Sequence, residues 1–268
     1  MNYENISLSP DERLDKINED LTIVQRVGGL TFGTDSYLLA AFVRKCKKAA
    51  EFGTGTGVAS LLCLTKGRAE HIYAAEIQPE FALLAKRNAG INGLSEKLSV
   101  LQGDVRELTQ KDTGGTVDAV FSNPPYMRAE GGFGAECGEM NAARRELNGT
   151  ISDFCAAASG ILKFGGYFYT VWRPDRLCDL FCALRGAGLE PKRMITVYPD
   201  TRSKPCLVLT EAKKGASAAL IQSRPLIIYK DNTRTYTEDM QTVYDRFSLE
   251  HFFDNGQTEA HRYEYRKE

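Results

Sequence analysis

Asn123-Pro124-Pro125-Tyr126 directly follows the apolar run Val117–Ser122, and its residue types suit chemistry at a planar nitrogen. An amine conjugated to a nucleobase ring shares its lone pair with the ring and attacks electrophiles poorly. Two hydrogen-bond acceptors aimed at its N–H groups favour a pyramidal nitrogen with an available lone pair. The Asn123 side-chain oxygen supplies one acceptor, and the Pro124 carbonyl, held by two rigid rings, supplies the second. Tyr126 offers an aromatic face on which an extruded base can stack. Such a site needs alignment and electrostatics rather than a base with a shifted pKa. At average residue frequencies the tetrapeptide arises on the order of once per thousand chains of this length, so chance is a poor account of it.

A second cluster lies upstream, in Glu51-Phe52-Gly53-Thr54-Gly55-Thr56-Gly57. Glycines at alternate positions let a backbone turn sharply and approach a ligand that a Cβ would repel. The amides of a following helix can face a carboxylate. Glu76 stands 19 residues beyond Gly57, the separation at which a strand-end carboxylate accepts from ribose hydroxyls. Asp104, in Gly103-Asp104, ends a third apolar run. The dinucleotide pattern G-x-G-x-x-G fails in both registers, because Val58 or Ser60 stands at its third position.

These residues need a scaffold that gathers strand ends, and residues 48–213 alternate accordingly. KAAEFG, HIYAAEI, LSVLQGD, VDAVFS and YFYTVWRP read as strands. VASLLCLTKG, PEFALLAKRNAGING, ISDFCAAASGILKFGG and DRLCDLFCALRGAGLE read as helices. The alternation predicts a mostly parallel sheet covered on both faces. RMITVYP and CLVLTEAKK, with no helix between them, predict an antiparallel hairpin at one edge. Ahead of the core, residues 21–43 predict a short hairpin turning at Gly28-Gly29, then a helix capped by Thr34 or Asp35. The glycine-rich stretch 127–150 has the length of a functional loop. The organisation expected is an N-terminal hairpin and helix at 1–45, the α/β domain at 46–230, and an extension at 231–268 that is not an independent domain.

Bulk properties narrow the class. The 268 residues are 43% hydrophobic and 26% charged with net charge −1, ordinary for a globular protein and without a chain-wide basic field for nucleic acid. No apolar stretch approaches the ~18–20 residues of a membrane span. The N-terminus MNYENISLSPDERLDKINED lacks the basic start and apolar centre of a secretory signal, which predicts a cytoplasmic protein without membrane association. Seven scattered cysteines argue against a disulfide framework. Cys178 and Cys182 lie one helical turn apart among Leu177, Leu180, Phe181 and Leu184; they are expected to pack in the core, and no metal is expected.

The acidic residue followed by G-x-G-x-G resembles motif I of class I S-adenosylmethionine methyltransferases, and Asn-Pro-Pro-Tyr resembles motif IV of those acting on amino groups. The resemblance implies a Rossmann-like fold with a seven-stranded, mostly parallel sheet and S-adenosyl-L-methionine as cofactor. It further implies Glu51, Gly53, Gly55 and Gly57 near the methionine moiety, Glu76 on the ribose, Asp104 beside the adenine amine and Asn123 between cofactor and target.

Flanking segments sharpen the likeness. Thr31–Phe42, Ala143-Arg144-Arg145-Glu146, Arg202-Ser203-Lys204-Pro205 and Val208–Gly215 resemble the bacterial family that methylates adenine in valine tRNA beside the anticodon. That family tends to show Ala-Arg-His-Glu where this chain has Arg145. The resemblance spans residues 20–230 and implies a tRNA substrate. Arg144, Arg145, Arg202, Lys204, Lys213 and Lys214 then become candidates for a phosphate-contacting rim. Phe32 and Asp35 would shape the cofactor pocket, although Asp35 equally suits a helix cap. Two alternatives remain at this stage: a glutamine-amide methyltransferase of the release-factor type, and a non-catalytic RNA-binding module. The former usually carries an N-terminal helical domain, where this chain has about 45 residues reading as hairpin and helix. Oligomeric state stays open, with a monomer the simpler expectation.

Overall fold

The structure, a computed structural model, describes residues 6–28, 33–124, 149–231 and 233–253. An antiparallel hairpin comes first, β1 (Glu12–Lys16) with β2 (Thr22–Arg26), followed by α1 (Thr34–Phe42). The repeating unit then runs β3 (Cys46–Phe52), α2 (Val58–Thr65), β4 (Ala69–Glu76), α3 (Pro79–Ile91), β5 (Leu98–Gln102) and β6 (Val117–Ser122). After it come α4 (Ile151–Ile161), β7 (Leu162–Trp172), α5 (Leu177–Gly186), β8 (Leu189–Tyr198) and β9 (Leu207–Lys214). Two-residue strands β10 (Ile221–Gln222) and β11 (Leu226–Ile227) precede α6 (Glu238–Arg246).

Among the described residues the main sheet runs β10-β8-β9-β7-β6-β3-β4-β5, with β11 also on β8. Strands β5, β4, β3, β6 and β7 are mutually parallel. The expected antiparallel pair is β8–β9, and β9 inserts between β7 and β8. Chain order reverses direction across the sheet at β3, whose neighbours are β4 on one side and β6 on the other. In open α/β sheets ligands bind beyond the strand carboxyl ends at that switch point.

Strand pleating sends alternate residues to opposite faces. Ala49, Ala74, Ala119 and Tyr169 join α1, α2 and α6 in one apolar cluster. Ala50, Ala75, Val120 and Phe168 join α4 and α5 in the other. The strands are therefore apolar on both sides, the pattern of a sheet covered twice.

Four details differ from the sequence reading. The hairpin turns at residues 17–21, not at Gly28-Gly29, because β2 pairs backwards with the polar segment Glu12–Lys16; Gly29 itself lies outside the described residues. Residues 162–166, read as the end of a helix, begin β7: Leu162 pairs with Val117 across an irregularity in β6. At Gly166 a Cβ would stand 3.0 Å from the Asp118 and Lys163 carbonyl oxygens, so glycine there admits close backbone approach. Cys178 and Cys182 are exposed, because α5 buries Leu180, Ala183 and Leu184 and turns both thiols outward. The segment read as polar after residue 231 places Met240, Val243, Phe247, Leu249 and Phe252 in the first cluster.

Candidate active site

The glycine loop leaves β3 at Phe52 and enters α2 at Val58. Gly53, Gly55 and Gly57 have φ of 70°, 56° and 84°, the left-handed region that side chains disfavour. The Gly53 and Thr54 N–H groups both donate to the Ala75 carbonyl, at 2.9 and 3.1 Å, which ties the loop to the end of β4. A Cβ at Gly57 would stand 3.2 Å from Ala85 Cβ, so that glycine brings the loop against α3. Among the described residues, apart from each glycine's own chain neighbours, no heavy atom lies within 4 Å of a Cβ built on Gly53 or Gly55. The loop therefore turns a bare backbone to open space, a cradle suited to a ligand rather than to the protein's own side chains.

Two carboxylates bond to the loop, and a third follows β5 at the same end of the sheet. Glu51 is 3% exposed; its Oε2 accepts from Thr54 Oγ1 at 2.6 Å, from the Ser60 N–H at 3.1 Å and from the Ser60 hydroxyl. It clasps the loop and the first turn of α2 from the protein side. Burial pushes its carboxyl up to about 7, against the lowering effect of the Ser60 and Thr54 hydrogen bonds. Glu76, at the end of β4, accepts from the Gly55 N–H at 2.8 Å through Oε2 and from the Gln78 N–H at 3.0 Å through Oε1. Asp104 caps the short 3-10 turn Val105–Glu107, accepting from the Arg106 N–H at 2.8 Å and from Arg106 Nε at 2.8 Å. The Arg106 hydrogen bonds hold its carboxyl below the usual range.

Asn123 stands one residue beyond β6. Register pairs Phe52 with Ser122, and the Ser122 hydroxyl donates to the Phe52 carbonyl at 2.8 Å, so Asn123 and Gly53 leave the sheet side by side. Asn123 Nδ2 donates to Asp35 Oδ2 at 2.8 Å and to Ser36 Oγ at 3.3 Å. Gly33 is the N-cap of α1, without a side-chain hydrogen bond, and Asp35 stands in the helix's first turn. Pro124 is buried next to it. Pro125, Tyr126, Phe32, Arg144 and Arg145 lie outside the described residues.

Thus Glu51, Gly53, Gly55, Gly57, Glu76, Asp104, Asn123 and Pro124 gather at one sheet edge. Arg202 and Lys204, in the β8–β9 connection, stand at that same edge, since β8 runs parallel to β7 through their shared antiparallel neighbour β9. Lys213 and Lys214 do not. They end the antiparallel β9, opposite Tyr167 and Leu189, and Lys214 Nζ donates to the Ser159 and Leu162 carbonyls. Strand direction removes both from any rim around the glycine loop.

Sequence reasoning missed the support beneath the loop. Asn88, fully buried on α3, accepts from the Val24 N–H at 2.8 Å and donates to the carbonyls of Val24 (3.1 Å) and Thr56 (2.9 Å). Asn92, a turn later, exchanges the same pair of bonds with Thr22, at 3.1 and 2.7 Å. Two asparagines four apart, Asn88 on a helix face of Ala82, Leu84, Ala85 and Ala89 and Asn92 at its C-cap, were the available signal. Among the described residues no group of three or more His, Cys, Asp or Glu side chains is placed to hold a metal, and no helix is long and apolar enough to cross a membrane.

A doubly covered parallel sheet, reversing at β3 and carrying a glycine cradle with acidic strand ends there, defines a Rossmann-like transferase of the class I methyltransferase type. The chain belongs to the methyltransferase small domain family, whose model matches residues 28–178. It is a methyltransferase, with S-adenosyl-L-methionine as its cofactor. The tRNA1(Val) (adenine(37)-N6)-methyltransferase of Histophilus somni is 25% identical over 233 residues, covering 81% of this chain and 89% of that protein. The enzyme of the same name from Bacteroides fragilis is 28% identical over 178 residues, 65% of this chain and 73% of its own length. The crystal structure of a "predicted O-methyltransferase" from Agrobacterium tumefaciens superposes with a TM-score of 0.64 at 22% identity, over 80% of this chain and 97% of that one. That likeness concerns the fold.

Proposed function

We propose that this chain methylates the exocyclic amine of an adenine in tRNA, in the cytoplasm, and that the adenosine beside the anticodon of a valine tRNA is its target. The observation that carries this reading is Asn123-Pro124 emerging beside Gly53, with the Asn123 amide nitrogen turned to Asp35. The names of the H. somni and B. fragilis relatives, matched over most of this chain's length, support the choice of adenine and of tRNA.

Residues Gly53, Gly55 and Gly57 would line the cofactor, with Glu51 behind them holding their turn. Glu76 would accept from the ribose hydroxyls, and Asp104 from the adenine amine through Oδ1, which carries one of the Arg106 bonds while Oδ2 takes both guanidinium bonds. S-adenosylmethionine supplies, when bound, a methyl group activated by the sulfonium. The remaining work falls to the chain. Asn123 Oδ1 and the Pro124 carbonyl accept from the target amine, and Tyr126 stacks on the base. Transfer of that methyl group would leave S-adenosylhomocysteine behind, and the amine proton would then pass to solvent. Geometry of this kind acts by alignment, since nothing in it must gain or lose a proton during transfer.

The test incubates the protein and radiolabelled S-adenosylmethionine with unmodified tRNA or with a release factor. Label in tRNA as N6-methyladenine is the expected result; label on the release factor alone overturns the proposal. Asn123→Ala should bind S-adenosylhomocysteine with near-normal affinity and lose more than about tenfold in turnover, since only transition-state positioning is removed.

A further inference from the structure

A side-chain amide has two ends of opposite character, and only its oxygen can accept from a substrate N–H. Which end of Asn123 faces the substrate is decided by what the other end meets. Nδ2 meets Asp35 Oδ2 at 2.8 Å and Ser36 Oγ at 3.3 Å, a contact between residues 88 apart in the chain. An ionised carboxylate is acceptor only. With the amide reversed, Asn123 Oδ1 would confront Asp35 Oδ2, two acceptors with no hydrogen between them.

Asp35 is itself held in place. Its Oδ1 accepts the Ser36 N–H at 2.8 Å. Gly33 makes room for it: a Cβ there would stand 2.5 Å from Asp35 Oδ1. The Gly33 backbone, at φ −112° and ψ 165°, is one that any residue adopts, so what a Cβ there would disturb is the position of the Asp35 carboxylate. With Oδ1 held by the Ser36 N–H, Oδ2 is the oxygen turned toward Asn123.

We propose that Asp35 is a positioning residue that fixes the amide of Asn123, nitrogen toward α1 and oxygen toward the target amine, with its carboxylate lying in the space that Gly33 leaves. The assignment rests on Asn123 being the amine-facing acceptor, and it gives Asp35 a task separate from capping α1 or contacting cofactor. It also makes the start of α1, outside the β/α repeat, part of the methyl-transfer apparatus.

Steady-state turnover on tRNA, S-adenosylhomocysteine affinity by calorimetry and thermal midpoint are measured for the full chain and for Asp35→Ala, Asp35→Asn, Gly33→Ala, Asn123→Ala and Asp35→Ala/Asn123→Ala. Asp35→Ala should lower kcat by about tenfold or more while S-adenosylhomocysteine affinity and KM for tRNA stay within about threefold. Asp35→Asn should restore part of the loss, because its amide oxygen still accepts from Asn123. Gly33→Ala should reproduce the loss of Asp35→Ala, and it decides the matter with Asp35→Asn if Asp35→Ala does not fold. The double variant should be no slower than Asn123→Ala. Asp35→Ala within twofold of the parent, a loss matched by weaker cofactor affinity, or a further tenfold loss in the Asn123→Ala background would each overturn the positioning role. Full turnover by Asn123→Ala would instead overturn the catalytic reading beneath it.

Discussion

At the scale of single residues, Glu51 couples the glycine loop to pH. Its carboxyl is buried at the end of β3 with three donors on one oxygen, and burial raises it from 4.5 to about 7. An acid whose folded pKa lies above its unfolded value binds more protons folded than unfolded between the two. Its contribution to stability is then complete below pH 4.5 and is lost as pH rises through about 7. The interval corresponds to a loss on the order of 3 kcal/mol. Urea unfolding of the cofactor-free protein at pH 5 and pH 8, beside Glu51→Gln, checks this. The parent should lose more stability than Glu51→Gln over that range; parallel curves would show that Glu51 does not titrate there.

Site residues were legible in the sequence to the extent that strand ends carry them. Glu51, Glu76, Asp104 and Asn123 each follow an apolar run, and strand ends in a parallel sheet converge whatever the loops do. Asp35 was legible only as an acid near a helix start, compatible with a cap. Its partner lies 88 residues away, and no local pattern encodes a contact of that separation.

At the scale of elements, α3 joins the hairpin to the glycine loop. Asn88 and Asn92 meet the β2 backbone at Val24 and Thr22 much as a neighbouring strand would. Asn88 also holds the Thr56 carbonyl in the glycine loop. Asn88→Ala leaves the Val24 N–H and two carbonyls without these partners in a buried setting. At about 1–3 kcal/mol for a stranded buried group, partly relieved by water, the variant should lose about 3 kcal/mol in urea unfolding. It should also bind S-adenosylhomocysteine more weakly, unlike Asn123→Ala. A change below about 0.5 kcal/mol with unaltered affinity would separate α3 from the loop.

The β/α repeat was legible because its strands are apolar on both faces and its helices carry clear stops, Pro79 at the start of α3 and Gly93 beyond its end. The hairpin was misplaced because Glu12–Lys16 is polar and mostly half-buried, so it shows no alternation. Its pairing with β2 is bounded by Ile17 and Leu21, whose backbone hydrogen bond closes the turn. Where β7 begins was hidden for another reason. Ile161 and Leu162 continue the apolar face of α4 unbroken, and only the pairing of Leu162 with Val117 makes the change to strand.

At the scale of the whole molecule, one buried ionic cluster binds the C-terminal segment to the sheet. Arg193 of β8, 4% exposed, donates to both carboxylate oxygens of Glu211 on β9, at 2.9 and 2.6 Å, and to both of Glu250, at 2.8 and 3.0 Å. Its guanidinium lies 5.2 Å from the ring centroid of Phe42 and 4.4 Å from that of Phe253, so α1 and the C-terminal segment sandwich it. Arg44 Nε stands 3.3 Å from Glu211, offering partial compensation if Arg193 is lost. A buried pair is costly to break from one side, about 3–5 kcal/mol, yet often neutral to replace by apolar residues on both sides. Arg193→Met strands Glu211, 1% exposed, and should lower Tm by about 10 °C at 2–4 °C per kcal/mol for a chain approaching this size. Arg193→Met/Glu211→Leu should recover most of that Tm. Both variants lose the two Arg193 bonds to Glu250 and keep only Arg44 Nε, 3.6 Å from Glu250, so both should loosen the segment carrying α6 and show faster limited proteolysis within residues 233–253. Recovery of Tm without faster cleavage would mean that the packing of Met240, Val243, Phe247, Leu249 and Phe252, with the bonds from Tyr37 to Tyr244 and from Arg224 to Asp239, holds the segment without Arg193. Failure of the double variant to recover would mean that the cluster shapes the sheet itself, through the Arg193–Glu211 pairing of β8 with β9.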